Sequence, residues 1–245
     1  MAQTVFARKE VKYLLTRAQY FALRAALADR MAEDQYGLHT ICNIYYDTPD
    51  GHLITRSLEK PRYKEKLRLR SYGVPRQEST VYLEIKKKAD GIVSKRRIGL
   101  TLREAEAYLE RDLYPAADCQ ILREIDYLKH RLPLAPALFL AYDRIALAGR
   151  EDPDFRVTYD QRIRGRRERL SLAEGDAGSL LLPEELILME AKIQGAAPLW
   201  FAQLLSRLEI RQLSFSKYGA ICKKEAGALL LPKKIEHILE RRPAV

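Results

Sequence analysis

Residues 63–72 read Tyr63-Lys64-Glu65-Lys66-Leu67-Arg68-Leu69-Arg70-Ser71-Tyr72, and they alternate. Lys64, Lys66, Arg68 and Arg70 share one parity, while Glu65, Leu67 and Leu69 share the other. Successive side chains of a β-strand point to opposite faces, so this spacing predicts a strand with one cationic and one largely apolar face. The next segment, TVYLEIKKK at 80–88, repeats the design with Tyr82, Glu84, Lys86 and Lys88 against Val81, Leu83 and Ile85. Ala89-Asp90-Gly91 then turns the chain into IVSKRRIGL, which makes 80–100 a hairpin.

Working outward, strand patterns fall at about 5–12, 39–47, 63–72, 80–88, 92–100, 136–147, 154–161 and 186–194. Apolar spacing near 3.6 marks helices over 17–31, 101–112 behind the capping-box run Thr101-x-x-Glu104, 118–131 and 198–208. The helices are inserted irregularly among the strands, which argues against a barrel of strictly alternating strands and helices. Eight strands suffice to close a barrel with a usable interior. The expected fold class is therefore α+β, an eight-stranded antiparallel β-barrel tunnel with helices packed outside. No internal boundary shows, so residues 1–245 read as a single domain, with 173–185 as its best loop.

Of the 245 residues, 43 are Lys or Arg and 33 Asp or Glu, a net charge of +10. Residues 62–97 alone hold 12 cations and 4 acids, +8 of that total. With 47% hydrophobic residues the chain can bury a core, which excludes a disordered chain. No apolar run approaches the roughly 20 residues of a membrane helix, and the opening MAQTVFARKE lacks a signal peptide's apolar core, so a cytoplasmic protein without a transmembrane segment is expected. Cys42, Cys119 and Cys222 form no C-x-x-C pair, and His39, His52, His130 and His237 are scattered without ligand spacing. The chain has no G-x-x-x-x-G-K-[ST], no G-x-G-x-x-G and no G-x-S-x-G. Its chemistry must run on charge.

Three Glu-x-Lys pairs, Glu10/Lys12, Glu84/Lys86 and Glu190/Lys192, each lie in a strand pattern, and Arg68/Arg70 and Lys95/Arg97 share the spacing. One reading is an antiparallel sheet with its charged face in water. The other is a closed barrel whose lumen carries the charge. The run Arg162–Arg169, five arginines and one glutamate, reads as an exposed loop edge.

Many short motifs in order resemble the polyphosphate polymerase domain of the vacuolar transporter chaperone (VTC) family, within the triphosphate tunnel metalloenzymes. RKEVKY (8–13) is similar to that family's opening strand and NIYYDT (43–48) to its second. Then come KLRLRSYG, YLEIKKK, VSKRR, AYDR ending at Arg144, FRVTYD with Arg156, LMEAK with Glu190, and SFSKY with Ser216 and Lys217. The resemblance spans about 5–225. Related thiamine-triphosphatases and class IV cyclases open with E-x-E-x-K, and Arg8 stands here in place of the first glutamate, which points to the VTC branch.

The resemblance implies a tunnel in which Lys12, Arg68, Arg70, Lys86, Arg144, Arg156 and Lys217 carry the reaction. Lys95, Arg97 and Ser216 would assist in binding the ligand, and Glu190 would hold Mn or Mg. The implied activity is an ATP-dependent polyphosphate polymerase with ATP and inorganic polyphosphate as ligands. Arginine's planar fork suits phosphate oxygens, lysine acts as a point charge, and hard oxygen ligands suit Mg or Mn. The plainer readings make Glu190 a salt-bridge partner of Lys192 or an arginine, and Ser216 an ordinary helix N-cap. A triphosphatase of the same fold and a non-catalytic polyphosphate- or nucleic-acid-binding module are the alternatives. Nucleic acid is not the expected partner, because the cations alternate with Leu, Val and Ile, although Tyr63, Tyr72 and Tyr82 border them.

Overall fold

The computed structural model describes residues 8–59, 61–90, 92–116, 119–228 and 231. Residues 5–7 of the first expected strand, Gly91 of the hairpin turn and Asp118 of an expected helix lie outside them. In chain order the elements are β1 (Arg8–Thr16), α1 (Arg17–Leu27), β2 (Met31–Glu33), β3 (His39–Asp47), α2 (His52–Leu58), β4 (Tyr63–Tyr72), β5 (Thr80–Ala89) and β6 (Ile92–Thr101). They continue with α3 (Leu102–Arg111), α4 (Gln120–Arg131), β7 (Ala135–Gly149), β8 (Arg156–Arg166), β9 (Ser179–Leu180), β10 (Leu186–Gln194), α5 (Leu199–Arg207), β11 (Gln212–Leu213) and α6 (Lys217–Glu225). The chain packs as two compact units made of interleaved segments, the first from 1–37, 145–161 and 181–245, the second from 38–144 and 162–180.

The first unit is an antiparallel ladder in the order β11-β1-β10-β8-β7, with β2 on β7. Tyr13, Leu15, Val157, Tyr159, Ile187 and Met189 share one face, and there they meet Tyr20, Leu23 and Leu27 of α1 and Phe201, Leu204 and Leu205 of α5. Thr16 starts α1: its hydroxyl accepts from the Gln19 N–H at 3.2 Å, and the Gln19 side chain accepts from the Thr16 N–H at 3.1 Å. Such a capping box is worth about 1 kcal/mol. The opposite face carries Glu10, Lys192 and Arg156 in one row and Lys12, Glu190 and Thr158 in the next.

The second unit runs β8-β7-β3-β4-β5-β6, with β9 on β8. Its apolar face holds Cys42, Ile44, Leu67, Leu69, Leu83 and Ile85, packed on Tyr108 of α3 and Leu122, Ile125 and Leu128 of α4. Asp47, 1% exposed, explains part of the NIYYDT motif: its carboxylate accepts the N–H groups of Thr48, Leu53 and Ile54 and so anchors the start of α2. The other face carries Asn43 and Tyr45 of β3, Arg68 and Arg70 of β4, Glu84 of β5 and Lys95 and Arg97 of β6.

The antiparallel α+β architecture is the expected one, but the strands number eleven among the described residues and neither unit's ladder closes on itself. An eight-stranded closed barrel is not what the hydrogen-bond ladders show. The added strands β2, β9 and β11 are two or three residues long, too short for a two-residue period to register. The helix expected over 17–31 ends at Leu27, and Met31 instead enters the core from β2. The arginine run is only partly a loop edge. Arg164 is 5% exposed, donates to Asp143 and Asp176 and to the carbonyls of Arg162 and Asp176, and ties down the loop before β9. No helix of the described residues is long and apolar enough to cross a membrane.

Candidate functional site

The polar face of the second unit is organised around one carboxylate. Glu84 is 1% exposed and lies in register with Arg68 on one side and Arg97 on the other. Arg68 Nε and Nη2 both lie 2.6 Å from Glu84 Oε2, Lys95 Nζ lies 3.0 Å from Oε1, and Arg70 Nη1 lies 3.9 Å away. Burial works to raise the Glu84 pKa, but Arg68, then Arg70 and Lys95, overcome it and hold the carboxyl at about 2. Lys95 is drawn down to about 8, chiefly by burial and further by Arg68 and Arg70, against the opposing pull of Glu84. Three cations to one carboxylate leave this cluster net positive.

Both arginines are held from the side. Arg68 Nη1 donates to the Tyr45 hydroxyl at 3.1 Å, while Arg70 Nε donates to Asn43 Oδ1 at 3.0 Å and its Nη2 to the Tyr142 hydroxyl at 3.3 Å. A guanidinium has five N–H groups in a fixed plane. Arg68 directs three of them at Glu84 and Tyr45 among the described residues. Burial alone would raise the Tyr45 phenol, yet Arg68, Lys66 and Arg70 bring it down to about 8.

The first unit balances its charge differently. Two Glu-x-Lys pairs run antiparallel, so Glu10 stands opposite Lys192 and Lys12 opposite Glu190. Lys217, the first residue of α6, reaches both carboxylates, with Nζ 2.5 Å from Asp160 Oδ2 and 2.7 Å from Glu190 Oε1. Lys12 Nζ lies 3.5 Å from the same Glu190 oxygen, 3.4 Å from Glu10, and donates to the Phe215 carbonyl at 3.0 Å. Thr158, opposite Glu190 in register, buries a hydroxyl that has no hydrogen-bond partner among the described residues. A cavity of about 490 Å3 opens beside Lys12 between 9–12 and 212–215.

Among the residues expected from sequence, Arg68, Arg70 and Lys95 thus converge in the second unit, and Lys12, Glu190 and Lys217 in the first. Lys86 is exposed and stands in register with Lys66 and Lys95. Arg97 lies over the Tyr82 ring at 4.7 Å and Arg144 over the Tyr142 ring at 5.0 Å. Arg156 is exposed and donates to its own loop at the Pro153 carbonyl. Ser216 caps α6, accepting from the Gly219 N–H at 3.3 Å. The salt-bridge partners of Glu190 are Lys217 and Lys12. Residues that sequence reasoning left out of the site are Asn43, Tyr45, Glu84, Tyr142 and Asp160, although Glu84 stands in the TVYLEIKKK strand pattern. Parity held the signal: Asn43 and Tyr45 alternate in NIYYDT, as Arg156 and Asp160 do in FRVTYD.

The carboxylates of Glu190 and Asp160 share the Lys217 ammonium and are hard oxygen donors of the kind a divalent metal takes. No group of three or more His, Cys, Asp or Glu residues suited to a metal occurs among the described residues.

A family model described as the VTC domain matches residues 7–224. No curated protein matches the chain. Among solved structures, a candidate adenylate cyclase from Bacillus halodurans is similar at a TM-score of 0.53, with 17% identity over 85% of this chain and 95% of that one. A candidate adenylyl cyclase from Hippeastrum, described as having a dominant triphosphatase activity, is similar at a TM-score of 0.50, with 15% identity over 90% of this chain and 96% of that one. At such identities the likeness is one of fold.

Proposed function

We propose, from the premise that this chain belongs to the VTC domain family, that its polar faces bind triphosphate and polyphosphate, and that it transfers the γ-phosphate of ATP to a growing polyphosphate chain. The observation that carries this reading is the Arg68–Arg70 pair. Both are buried or half-buried, locked from the side by Glu84, Tyr45, Asn43 and Tyr142, and set in a cluster with excess positive charge. A face that only met water would have no use for arginines held this way, because exposed ion pairs contribute about 0–1 kcal/mol.

In this reading residues 1–245 act as one functional domain. Arg68, Arg70, Lys86 and Arg144 in the second unit, and Lys12, Arg156 and Lys217 in the first, contact phosphate oxygens, with Lys95, Arg97 and Ser216 assisting. A terminal phosphate oxygen of the chain forms a P–O bond to the γ-phosphorus, the bond from that phosphorus to the β–γ bridging oxygen breaks, and ADP leaves. No covalent enzyme intermediate is needed, since positioning and charge stabilisation do the work. Mn or Mg held by Glu190 and Asp160 would neutralise phosphate charge when bound.

A triphosphatase differs only in that water reaches the γ-phosphorus, and the activity described for the Hippeastrum protein makes it the second reading. Phosphate analysis after incubation with ATP and Mn separates them. Long chains support the polymerase, free phosphate supports the hydrolase, and tight polyphosphate binding without turnover leaves a binding module.

A further inference from the structure

Tyr45 sits on β3 directly opposite Arg68, 8% exposed, with its hydroxyl accepting the Arg68 Nη1 proton at 3.1 Å and Arg68 Cζ 5.9 Å from its ring centre. The charges that act on it include Lys66, Arg68 and Arg70 on β4, with Glu84 on β5 beyond Arg68 and Lys95 on β6 beyond Glu84. On its other side β7 presents Leu138 in register and, two rows away, the Tyr142 phenol. We propose that Tyr45 is a positioning residue: as a neutral phenol it holds Arg68 for an incoming phosphate, and as a phenolate it captures Arg68 and closes this face to anions. The inference rests on the phosphate-binding reading above.

The sign follows from charge. A neutral hydroxyl accepts one N–H of Arg68 and leaves the guanidinium's net charge available. A phenolate at the same distance neutralises Arg68 and adds a negative charge beside the anion site, so bound phosphate favours the protonated form and affinity must fall as pH rises through about 8. Six other tyrosines, Tyr13, Tyr46, Tyr63, Tyr108, Tyr114 and Tyr159, move the opposite way, pushed upward first by burial or, for Tyr114, by its bond to Asp126. Loss of an early phenolate absorbance step in Tyr45→Phe identifies that step as the Tyr45 phenol. Lys95 is also drawn down to about 8, chiefly by burial, so the comparison with Tyr45→Phe isolates the share of the Tyr45 hydroxyl.

The experiment titrates the full chain and Tyr45→Phe with metal-free tripolyphosphate between pH 6.5 and 9.5, and in parallel follows phenolate absorbance at 295 nm. The wild type should show one phenol ionising near pH 8 that tripolyphosphate pushes upward and that Tyr45→Phe lacks. Tyr45→Phe should bind about threefold more weakly at pH 7, from the lost hydrogen bond. Between pH 7.5 and 9 it should lose roughly five- to tenfold less affinity than the wild type. If the wild type binds tripolyphosphate but the variant follows the same pH curve within about twofold, the Tyr45 assignment falls and the phosphate reading stands. Failure of the wild type to bind at any pH overturns the phosphate reading and this proposal with it. Should Tyr45→Phe not fold, the wild-type absorbance decides alone: an early phenol step that tripolyphosphate does not move overturns the proposal.

Discussion

The two units solve the same problem, a charged sheet face, in opposite ways. The second sets two arginines and Lys95 around one buried carboxylate and braces each guanidinium with side-chain acceptors, so the excess charge is positive and fixed in direction. The first sets Lys12 and Lys217 among Glu10, Glu190 and Asp160, so ammoniums face at least as many carboxylates. Arginine geometry suits recognition of planar oxygen pairs, whereas a lysine can swing away and leave its carboxylate to another cation. In the proposed function, the second unit would therefore supply the most directional phosphate contacts, and the first would combine its lysine contacts with the carboxylates for a metal.

Removing the hub breaks the contrast most severely. Glu84→Gln leaves three clustered cations without their counter-charge, and the expected loss is about 3–5 kcal/mol of stability, read as a drop in melting temperature. An unchanged melt would show that Glu84 does not hold the cluster together. Acid should do the same reversibly. Glu84 is depressed to about 2, so its contribution is full above the unfolded value near 4.5 and fades as pH falls toward 2. Roughly 3 kcal/mol should disappear over that interval, and the effect should be absent in whatever fraction of Glu84→Gln folds.

Arg68→Ala or Arg70→Ala should weaken tripolyphosphate binding ten- to a hundredfold, about 1.5–3 kcal/mol. Leu67 and Leu69 still carry the packing of β4, while the melting temperature should fall, more for Arg68→Ala, which removes both 2.6 Å contacts to the buried Glu84. Calorimetric titration measures the binding loss, and full affinity in the double variant would remove the anion grip from this unit. The smallest effect on phosphate is expected in the first unit. Glu190→Gln should abolish the response of turnover to Mn while chain binding persists or tightens by a few fold, because one carboxylate fewer repels phosphate. A lowered melting temperature with an intact Mn response would instead make Glu190 a salt-bridge residue only.

Long strands were legible because their alternation is deep. The patterns at 39–47, 63–72 and 186–194 coincide with β3, β4 and β10. The cations were legible for the same reason. What alternation cannot show is which acceptors brace them: the partners of Arg68 and Arg70 come from positions 23, 27 and 72 residues away in the chain. Met31 misled for a related reason. It continues the apolar spacing of α1, and only its burial between the core residues of the first unit shows that the chain has already become a strand. Asp47 stands in the NIYYDT strand pattern with no role assigned, and its carboxylate accepts the backbone N–H groups of Thr48, Leu53 and Ile54 at the start of α2.

The interleaving of the two units also sets an order of events during synthesis. Strands β4, β5 and β6 are consecutive and each finds its neighbour as soon as it is made. Strand β1 pairs only with β10 and β11, near the far end of the described chain. At about 5–20 residues per second, a nascent β1 waits on the order of ten seconds or more with its amides and apolar side chains uncovered. The second unit can therefore fold while the chain is still being made, whereas the first must hold an unpaired strand until residues 186–194 emerge, and that interval is when a chaperone or a wrong strand has its opportunity.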